Sequence, residues 1–328
     1  MARVLVTGGS GFIGRNLVEV LVARGDSVRV LDVAEPEPKP ADVDYVRGSV
    51  ADRVACEKAL VGIERVYHLA GIAHLWRRDR ADFDTVNRLG TETLLEAAAA
   101  NRVSRVVHCS TESILLPRRR NHKAIDESAP PTLEDMPGPY TRSKHLAERA
   151  ALRAAQKGLD VVVVNPTVPV GVGDRNMTPP AQMLQLFLAG QTPFFLDCVL
   201  NLVDVRDIAD GIVRAGDNGR TGDRYILGGE NVAMRELLPV LARKSGRPMP
   251  RRAVPAAVAL ATGLVSGWIA DLVTHRAPVA TREAVVLALR SAPFDSAKAK
   301  RELGYAPEPI DRALTEVVDA FKRSNSST

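Results

Sequence analysis

Short apolar runs alternate with amphipathic stretches along the first half of the chain. Val4-Leu5-Val6 is the kind of run that forms a buried parallel strand, and behind it Phe12, Ile13, Leu17, Val18, Leu21 and Val22 recur at helical spacing. The alternation continues. Strands are expected at Ser27–Leu31, Val43–Val46, Arg65–Gly71, Arg105–Thr111 and Asp160–Asn165, and helices at Asp52–Leu60, Asp82–Asn101 and Tyr140–Lys157, the last closed by Gly158. This order predicts an α/β fold with a doubly wound parallel sheet, whose ligands sit at the C-terminal ends of the strands. Gly71 and Thr111 fall at such ends. The stretch 112–139, rich in Pro, Arg, Glu and Asp, is long for a plain connection and reads as a functional loop.

Beyond strand six the pattern loosens, with Pro166, Pro169, Gly171, Gly173, Pro179 and Pro180 punctuating a passage into a second lobe. We expect one domain over 1–168 and a smaller, mostly helical lobe over 169–328, parts of which near 201–230 return to the first. Strands are expected at Asn201–Val205 and Tyr225–Leu227, helices at Arg206–Ala215, Met234–Lys244 and Ala313–Phe321, and a fraying tail at Ser324–Thr328. Val254–Val273 approaches membrane-spanning length, but Gly263, Gly267, Asp271 and many alanines lower its hydrophobicity. The preferred expectation is a helix capping an apolar substrate pocket, with Phe194 and Phe195 as further wall; the other is peripheral contact with a bilayer surface.

Composition narrows the class. Of 328 residues 45% are apolar and 25% charged, ordinary for a soluble globular protein large enough for two lobes. A net charge of +5 and a pI near 9.2 raise the question of nucleic acid. Apart from Arg77-Arg78 and Arg118-Arg119-Arg120 the basic residues are scattered, and aromatics are too sparse for base stacking, so no nucleic-acid partner is expected. Cys56, Cys109 and Cys198 lack metal or redox spacing, which suits reduced thiols in a cytoplasm. No secretion signal is visible at the N-terminus, and six scattered histidines suggest no metal site.

The chemistry starts at the first turn. Gly8-x-x-Gly11-x-x-Gly14 lies between the first strand and the first helix, where a pyrophosphate can approach backbone N–H groups that a Cβ would obstruct. The second strand ends at Asp32, eighteen residues past Gly14. A carboxylate there accepts hydrogen bonds from adenosine ribose hydroxyls and repels a 2′-phosphate, and no Arg or Lys follows until Lys39. The cofactor expected is therefore NAD, with NADP less favoured.

Tyr140 and Lys144 stand at i and i+4, so they share one helix face and the ammonium can stabilise an ionised phenol. Without such help a phenol, titrating near pH ~10, is a poor base at neutrality. Thr111, ending strand five, adds a hydroxyl that can hold a substrate oxygen. With a dinucleotide turn, these three groups specify hydride transfer at a carbinol carbon.

Together these residues resemble an extended short-chain dehydrogenase/reductase of the NAD-dependent epimerase/dehydratase family. The likeness spans Thr7–Gly14, His68-Leu69-Ala70-Gly71, Asn87-x-x-Gly90-Thr91, Ser110-Thr111, Tyr140–Lys144 and Arg301-Glu302-Leu303-Gly304-Tyr305. Within the family the chain is similar to the dihydroflavonol-reductase-like branch and to the hopanoid-associated sugar epimerases, through Leu133–Tyr140, Asn165–Gly171 and Arg224–Asn231. The resemblance implies a Rossmann sheet, Tyr140 as acid/base, Lys144 as its electrostatic partner and ribose ligand, and Thr111 in a slot often held by Ser. It also implies a cofactor held by Gly8, Gly11, Phe12, Ile13, Gly14, Asp32, Ser49, Val50, Leu69, Ala70, Gly71, Asn87, Asn165 and Pro166, and a homodimer through 82–101 and 140–157. Asn87 is equally well read as a brace.

The departures carry information. Gly48-Ser49 stands where the family often has Gly-Asp for the adenine amino group, Asp204 replaces a usual His, and 193–200 has no Arg to clamp a diphosphate. The function expected is hydride transfer between NAD and a secondary alcohol or ketone of a largely apolar small molecule. The alternatives are a sugar-nucleotide epimerase or dehydratase that retains its NAD, and a cofactor-sensing protein without chemistry.

Overall fold

The computed structural model describes residues 1–35, 40–119, 123–128, 131–278 and 280–326; Lys39, Arg120 and Thr328 lie outside them. Strands β1 (Arg3–Thr7), β2 (Ser27–Asp32), β3 (Val43–Arg47), β4 (Arg65–His68), β5 (Arg105–Cys109) and β6 (Val161–Pro166) run parallel. Between them lie α1 (Phe12–Ala23), α2 (Arg53–Leu60), α3 (Ala81–Phe83), which runs through a π-helical stretch Asp84–Leu89 into α4 (Gly90–Ala100), and α5 (Pro139–Gln156). The C-terminal part adds β7 (Val168–Val170), α6 (Pro179–Leu188), β8 (Phe194–Phe195), β9 (Val199–Asp204), α7 (Val205–Asn218), β10 (Arg224–Leu227), β11 (Glu230–Ala233), α8 (Met234–Ser245) and β12 (Arg252–Ala253). It ends in α9 (Ala256–Ile269), α10 (Arg282–Arg290), α11 (Ala297–Leu303) and α12 (Asp311–Ser326).

Among the described residues the main sheet has the order β10-β6-β5-β4-β1-β2-β3. The chain winds outward from β1 to β3, returns, and builds the other side from β4, so the direction reverses between β1 and β4. That switch point is where a ligand crevice opens at the strand ends. Both faces are covered, which is why the strands read as continuous apolar runs: Val161 to Val164 are all fully buried. On one face Leu17 and Leu21 of α1 meet Ile208 and Ile212 of α7. On the other, Leu60, Leu94 and Ala151 bring in α2, α4 and α5.

Strand β10 joins the main sheet beside β6. Strands β7, β9 and β11 form a small sheet, and α6, α8 and α12 close over Leu184, Phe187, Leu237, Leu241 and Leu314. Three expectations change here. Phe195 enters that core while Phe194 faces solvent, because successive strand residues point to opposite faces. The wall beside Tyr140 is instead Ile72 and Phe83, with Leu75 and Val86 against them. Helix α12 runs on through Ser326 rather than fraying at Ser324, whose hydroxyl donates to the Phe321 carbonyl. The stretch 254–273 forms α9 and a π-helical turn, Ala270–Thr274, but most of its apolar side chains are exposed rather than lining a pocket.

Candidate active site

The glycine turn is built by close approach. Gly8 has φ +72°, and a Cβ there would stand 2.7 Å from the Ala70 amide nitrogen, so β1 and β4 can meet only at a glycine. A Cβ on Gly14 would lie 2.1 Å from the Gly8 carbonyl oxygen. Gly11 is the N-cap of α1 and carries no side-chain cap, which leaves the first amides of the helix, Phe12 and Ile13 among them, for an anion. The Phe12 ring is itself buried and passes close to Gly171, so Phe12 offers its backbone amide to this site. Asp32 stands at the lip of the turn, one carboxylate oxygen accepting from the Ser10 amide (3.0 Å) and the other from the Ala34 amide (3.2 Å). Ser49 Oγ accepts from the Ala51 amide (3.2 Å), and Val50 is buried against Gly90.

The floor is held by a buried polar chain. The Ala70 amide donates to Thr7 Oγ1 (3.2 Å), which lies 2.7 Å from His68 Nδ1, and His68 Nε2 lies 2.9 Å from Thr91 Oγ1. Because the Thr91 hydroxyl donates to the Asn87 carbonyl (2.6 Å), the network assigns the ring proton to Nε2 and leaves Nδ1 to accept from Thr7. Leu69 donates its amide to the Thr7 carbonyl (3.0 Å), and Gly71 passes within 3.0 Å of Asn87 Oδ1 at its missing Cβ. Asn87 is a brace: Oδ1 accepts from the Ile72 amide (2.7 Å), while Nδ2 donates to the Ile72 carbonyl (3.3 Å) and to Ser143 Oγ (2.9 Å). It ties the end of β4 to the helix that carries Tyr140.

His68 is held neutral, its pKa pushed down to about 3 by burial and then by Lys144, and His108, 5.2 Å from it ring to ring, is pushed well below the usual value by burial and by His68. Unfolded, both rings would take a proton near pH ~6.5. The unfolded chain therefore binds more protons below that pH, and the stability these rings contribute is full above it and is lost as pH falls towards 3. Both His108 nitrogens lack a partner among the described residues. His108→Leu is expected to lower the slope of unfolding free energy against pH, between about pH 6 and 4, by up to about 1.4 kcal/mol per pH unit, measured by urea titration.

Tyr140 and Thr111 meet at the start of α5 and the end of β5, and Lys144 stands one turn further along α5. The Thr111 hydroxyl is near enough to the phenol to act on its titration, and Tyr140 is buried beside Phe83 at a ring distance of 6.4 Å. Lys144 Nζ donates to the Cys109 carbonyl (2.8 Å). The expected depression of the phenol is not what the geometry gives. Burial, then the Glu112 carboxylate, push Tyr140 up against the pull of Thr111, and burial lowers Lys144. A shared helix face sets the spacing of the two groups, but desolvation in a closed site outweighs it.

Three acids complete the site, and the sequence reading missed them. Glu112, half-buried and pushed up by desolvation, accepts from Thr111 Oγ1 (2.9 Å). Glu148 accepts from Asn165 Nδ2 (2.8 Å) and pairs with Arg224 (2.9 Å), while Asn165 also donates to the Thr111 carbonyl (3.1 Å). Its place one turn past Lys144 was a signal: Tyr140, Lys144 and Glu148 repeat every four residues. Glu283 of α10 accepts from the Thr141 amide (2.8 Å), Thr141 Oγ1 (2.6 Å) and the Tyr140 amide (3.3 Å), capping the helix that presents Tyr140 from 143 residues away. No local pattern could have announced it. Glu283→Ala is expected to cost about 1–2 kcal/mol in stability and to lower kcat by about 10-fold or more with NADH affinity unchanged, Glu283→Gln recovering part of both.

A dinucleotide fits what is here: an uncapped helix start behind glycine, a carboxylate at the ribose position, and the buried Ser110 Oγ and Asn165 Oδ1 without partners among the described residues. The model of the NAD dependent epimerase/dehydratase family matches residues 4–228, and the chain belongs to that family, as an NAD-dependent enzyme of the extended short-chain dehydrogenase/reductase type. A Synechocystis sp. protein whose name includes dihydroflavonol 4-reductase is 35% identical over 327 residues, 97% of this chain and 94% of the relative. The 4-hydroxy-2-methyl-3-oxo-4-farnesyl-3,4-dihydroquinoline-1-oxide ketoreductase of Stigmatella aurantiaca is 35% identical, with 93% and 92% covered. The UDP-glucose 4-epimerase of Thermus thermophilus, solved in complex with NAD, superposes with a TM-score of 0.78 at 25% identity, covering 98% and 99%.

Proposed function

We propose that this enzyme interconverts a secondary alcohol and a ketone on a largely apolar small molecule, with Tyr140 as the acid/base. The observation that carries the reading is the meeting of the Tyr140 phenol and the Thr111 hydroxyl against an apolar wall of Ile72, Phe83 and Leu75. NAD, when bound, supplies the hydride acceptor or donor. The chain supplies the rest. Thr111 Oγ1 holds the substrate oxygen, and Tyr140 Oη takes its proton in oxidation and returns it in reduction. Lys144 holds the nicotinamide ribose and offsets phenolate charge. Asn165 and Pro166 with Leu69, Ala70 and Gly71 would hold the nicotinamide end of the cofactor, the Gly8–Gly14 turn would take the pyrophosphate, Asp32 the adenosine ribose, and Ser49 and Val50 the adenine.

A retained-NAD epimerase is the second reading, favoured by the likeness to the UDP-glucose 4-epimerase. Against it, the stretch 193–200 offers no arginine for a diphosphate, Arg206 is taken up by Asp204 and Glu316, and Arg235 by Asp197. Purified protein separates them: the dehydrogenase forms NADH in step with product, whereas the epimerase carries NAD and turns over with no net NADH. The same reading divides the chain into a cofactor domain, 1–168, and a substrate lobe, 169–328. It includes a homodimer through the helices over 82–101 and 140–157, three buried free thiols suited to a cytoplasm, and peripheral bilayer contact through 254–273.

A further inference from the structure

The apolar residues of α9 and the turn after it are sorted onto two faces. Ala259, Gly263 and Ala270 are buried, Gly263 standing against the Arg282 backbone and Ser266 Oγ donating to the Ala280 carbonyl. On the opposite face Val258, Val265, Trp268, Ile269 and Leu272 are exposed, Trp268 to 61% and Leu272 to 77%, with Val273 beside them at 71%. Ala256–Thr274 is long and apolar enough to cross a membrane by composition. It does not stand free to do so: one face is packed on α10, and Asp271 accepts from Trp76 Nε1 (3.0 Å) and pairs with Arg80. A helix with one face in the protein and the other apolar and open is built to lie on an interface.

Charge selects the occupant. From 251 to 282 the acidic side chain is Asp271, already paired, while Arg251, Arg252, Arg276 and Arg282 are cationic, with the exposed His275 beside Arg276. A tryptophan on an exposed apolar face, in a stretch of chain whose excess charge is positive, matches the headgroup layer of an anionic bilayer. The hairpin is also fastened to the catalytic end of the fold at two points. Glu283, one residue into α10, caps the helix that presents Tyr140, and Asp271 holds Trp76 in the loop whose Ile72 and Leu75 pack with Tyr140.

We propose that the exposed face of α9 seats the enzyme on an anionic lipid surface and that its apolar substrate passes from the bilayer to Tyr140 along the α9–α10 hairpin. This rests on the reading of an apolar substrate and a bilayer contact given above, and names the face, the lipid charge and the route. The test is co-sedimentation of the full chain with phosphatidylcholine vesicles, plain or doped with phosphatidylglycerol. Binding to the doped vesicles, weakened by salt, is expected. Combining Trp268→Ser, Leu272→Ser and Val273→Ser should weaken it by roughly tenfold or more, and Arg251→Glu with Arg276→Glu should abolish the preference for phosphatidylglycerol. NADH binding by the serine variant should match the native chain, since none of the three touches the glycine turn.

A native chain that ignores both vesicle types, or a serine variant that binds them as the native chain does, overturns the proposal. So does a serine variant that only turns an oligomer into a monomer, which would give the face to a second copy. NADH-dependent reduction of a soluble ketone with no vesicle binding would sink this inference and leave the catalytic reading standing; vesicle binding without NADH binding would sink the catalytic reading, and the substrate route with it, and leave only the lipid-facing role of α9.

Discussion

Tyr140→Phe is expected to reduce kcat by about 10²–10⁴-fold, the range of a positioned acid/base, while leaving NADH affinity within a factor of about two. The separation follows from the geometry. In the proposed site the dinucleotide would be met by backbone at Gly8–Gly14 and by Asp32, at the ends of β1 and β2, whereas the phenol stands at the start of α5 across the switch point. Removing one oxygen from a buried ring that packs on Phe83 and Ile72 leaves the wall in place. Because burial and Glu112 hold the phenol up in the free protein, the alcohol-oxidising direction should gain rate with pH through the neutral range and above, where a phenolate is needed. Reduction, which needs the neutral phenol, should not. Steady-state rates in both directions, with NADH titrated by fluorescence, check this. A variant with native turnover would remove Tyr140 from the chemistry and revive the cofactor-sensing reading.

The second large effect is on folding. Glu148→Ala is expected to destabilise the protein by about 3–5 kcal/mol, seen as a fall in Tm of roughly 10 °C, because it strands a partly buried guanidinium. Glu148 is 2% exposed and holds Arg224 of β10 on one oxygen and Asn165 of β6 on the other. It thus joins α5 to the last two strands of the sheet. Asn165 would lose its anchor while keeping its bond to the Thr111 carbonyl. A fall in kcat should accompany the fall in stability. Glu148→Gln, which can still accept from Asn165, should restore more of the rate than of the stability. Thermal unfolding and kinetics on the two variants separate these contributions; a Tm for Glu148→Gln equal to that of the native chain would mean that the ion pair with Arg224 contributes little.

Local pattern determined most of what is near in the chain. The strand–turn–helix around Gly8–Gly14, the carboxylate at Asp32, and Tyr140 and Lys144 on one helix face all follow from spacing of two, three or four residues, which is the range over which backbone geometry fixes direction. The buried parallel strands were legible for a related reason: both faces are covered, so they carry no polar alternation to obscure them. Tertiary structure decided how these pieces act. Glu283 reaches the helix that presents Tyr140 across 143 residues, Asn87 clasps Ile72 and Ser143, and Phe195 turns into a core while Phe83 stands by Tyr140. The apolar stretch after Val254 could not reveal which of its faces is open, because an apolar run reads alike whether protein or lipid covers it. The titration of Tyr140 was likewise beyond the sequence. An i, i+4 lysine fixes a neighbour, but the free energy of ionising a phenol depends on how much water and how many carboxylates the closed fold leaves around it.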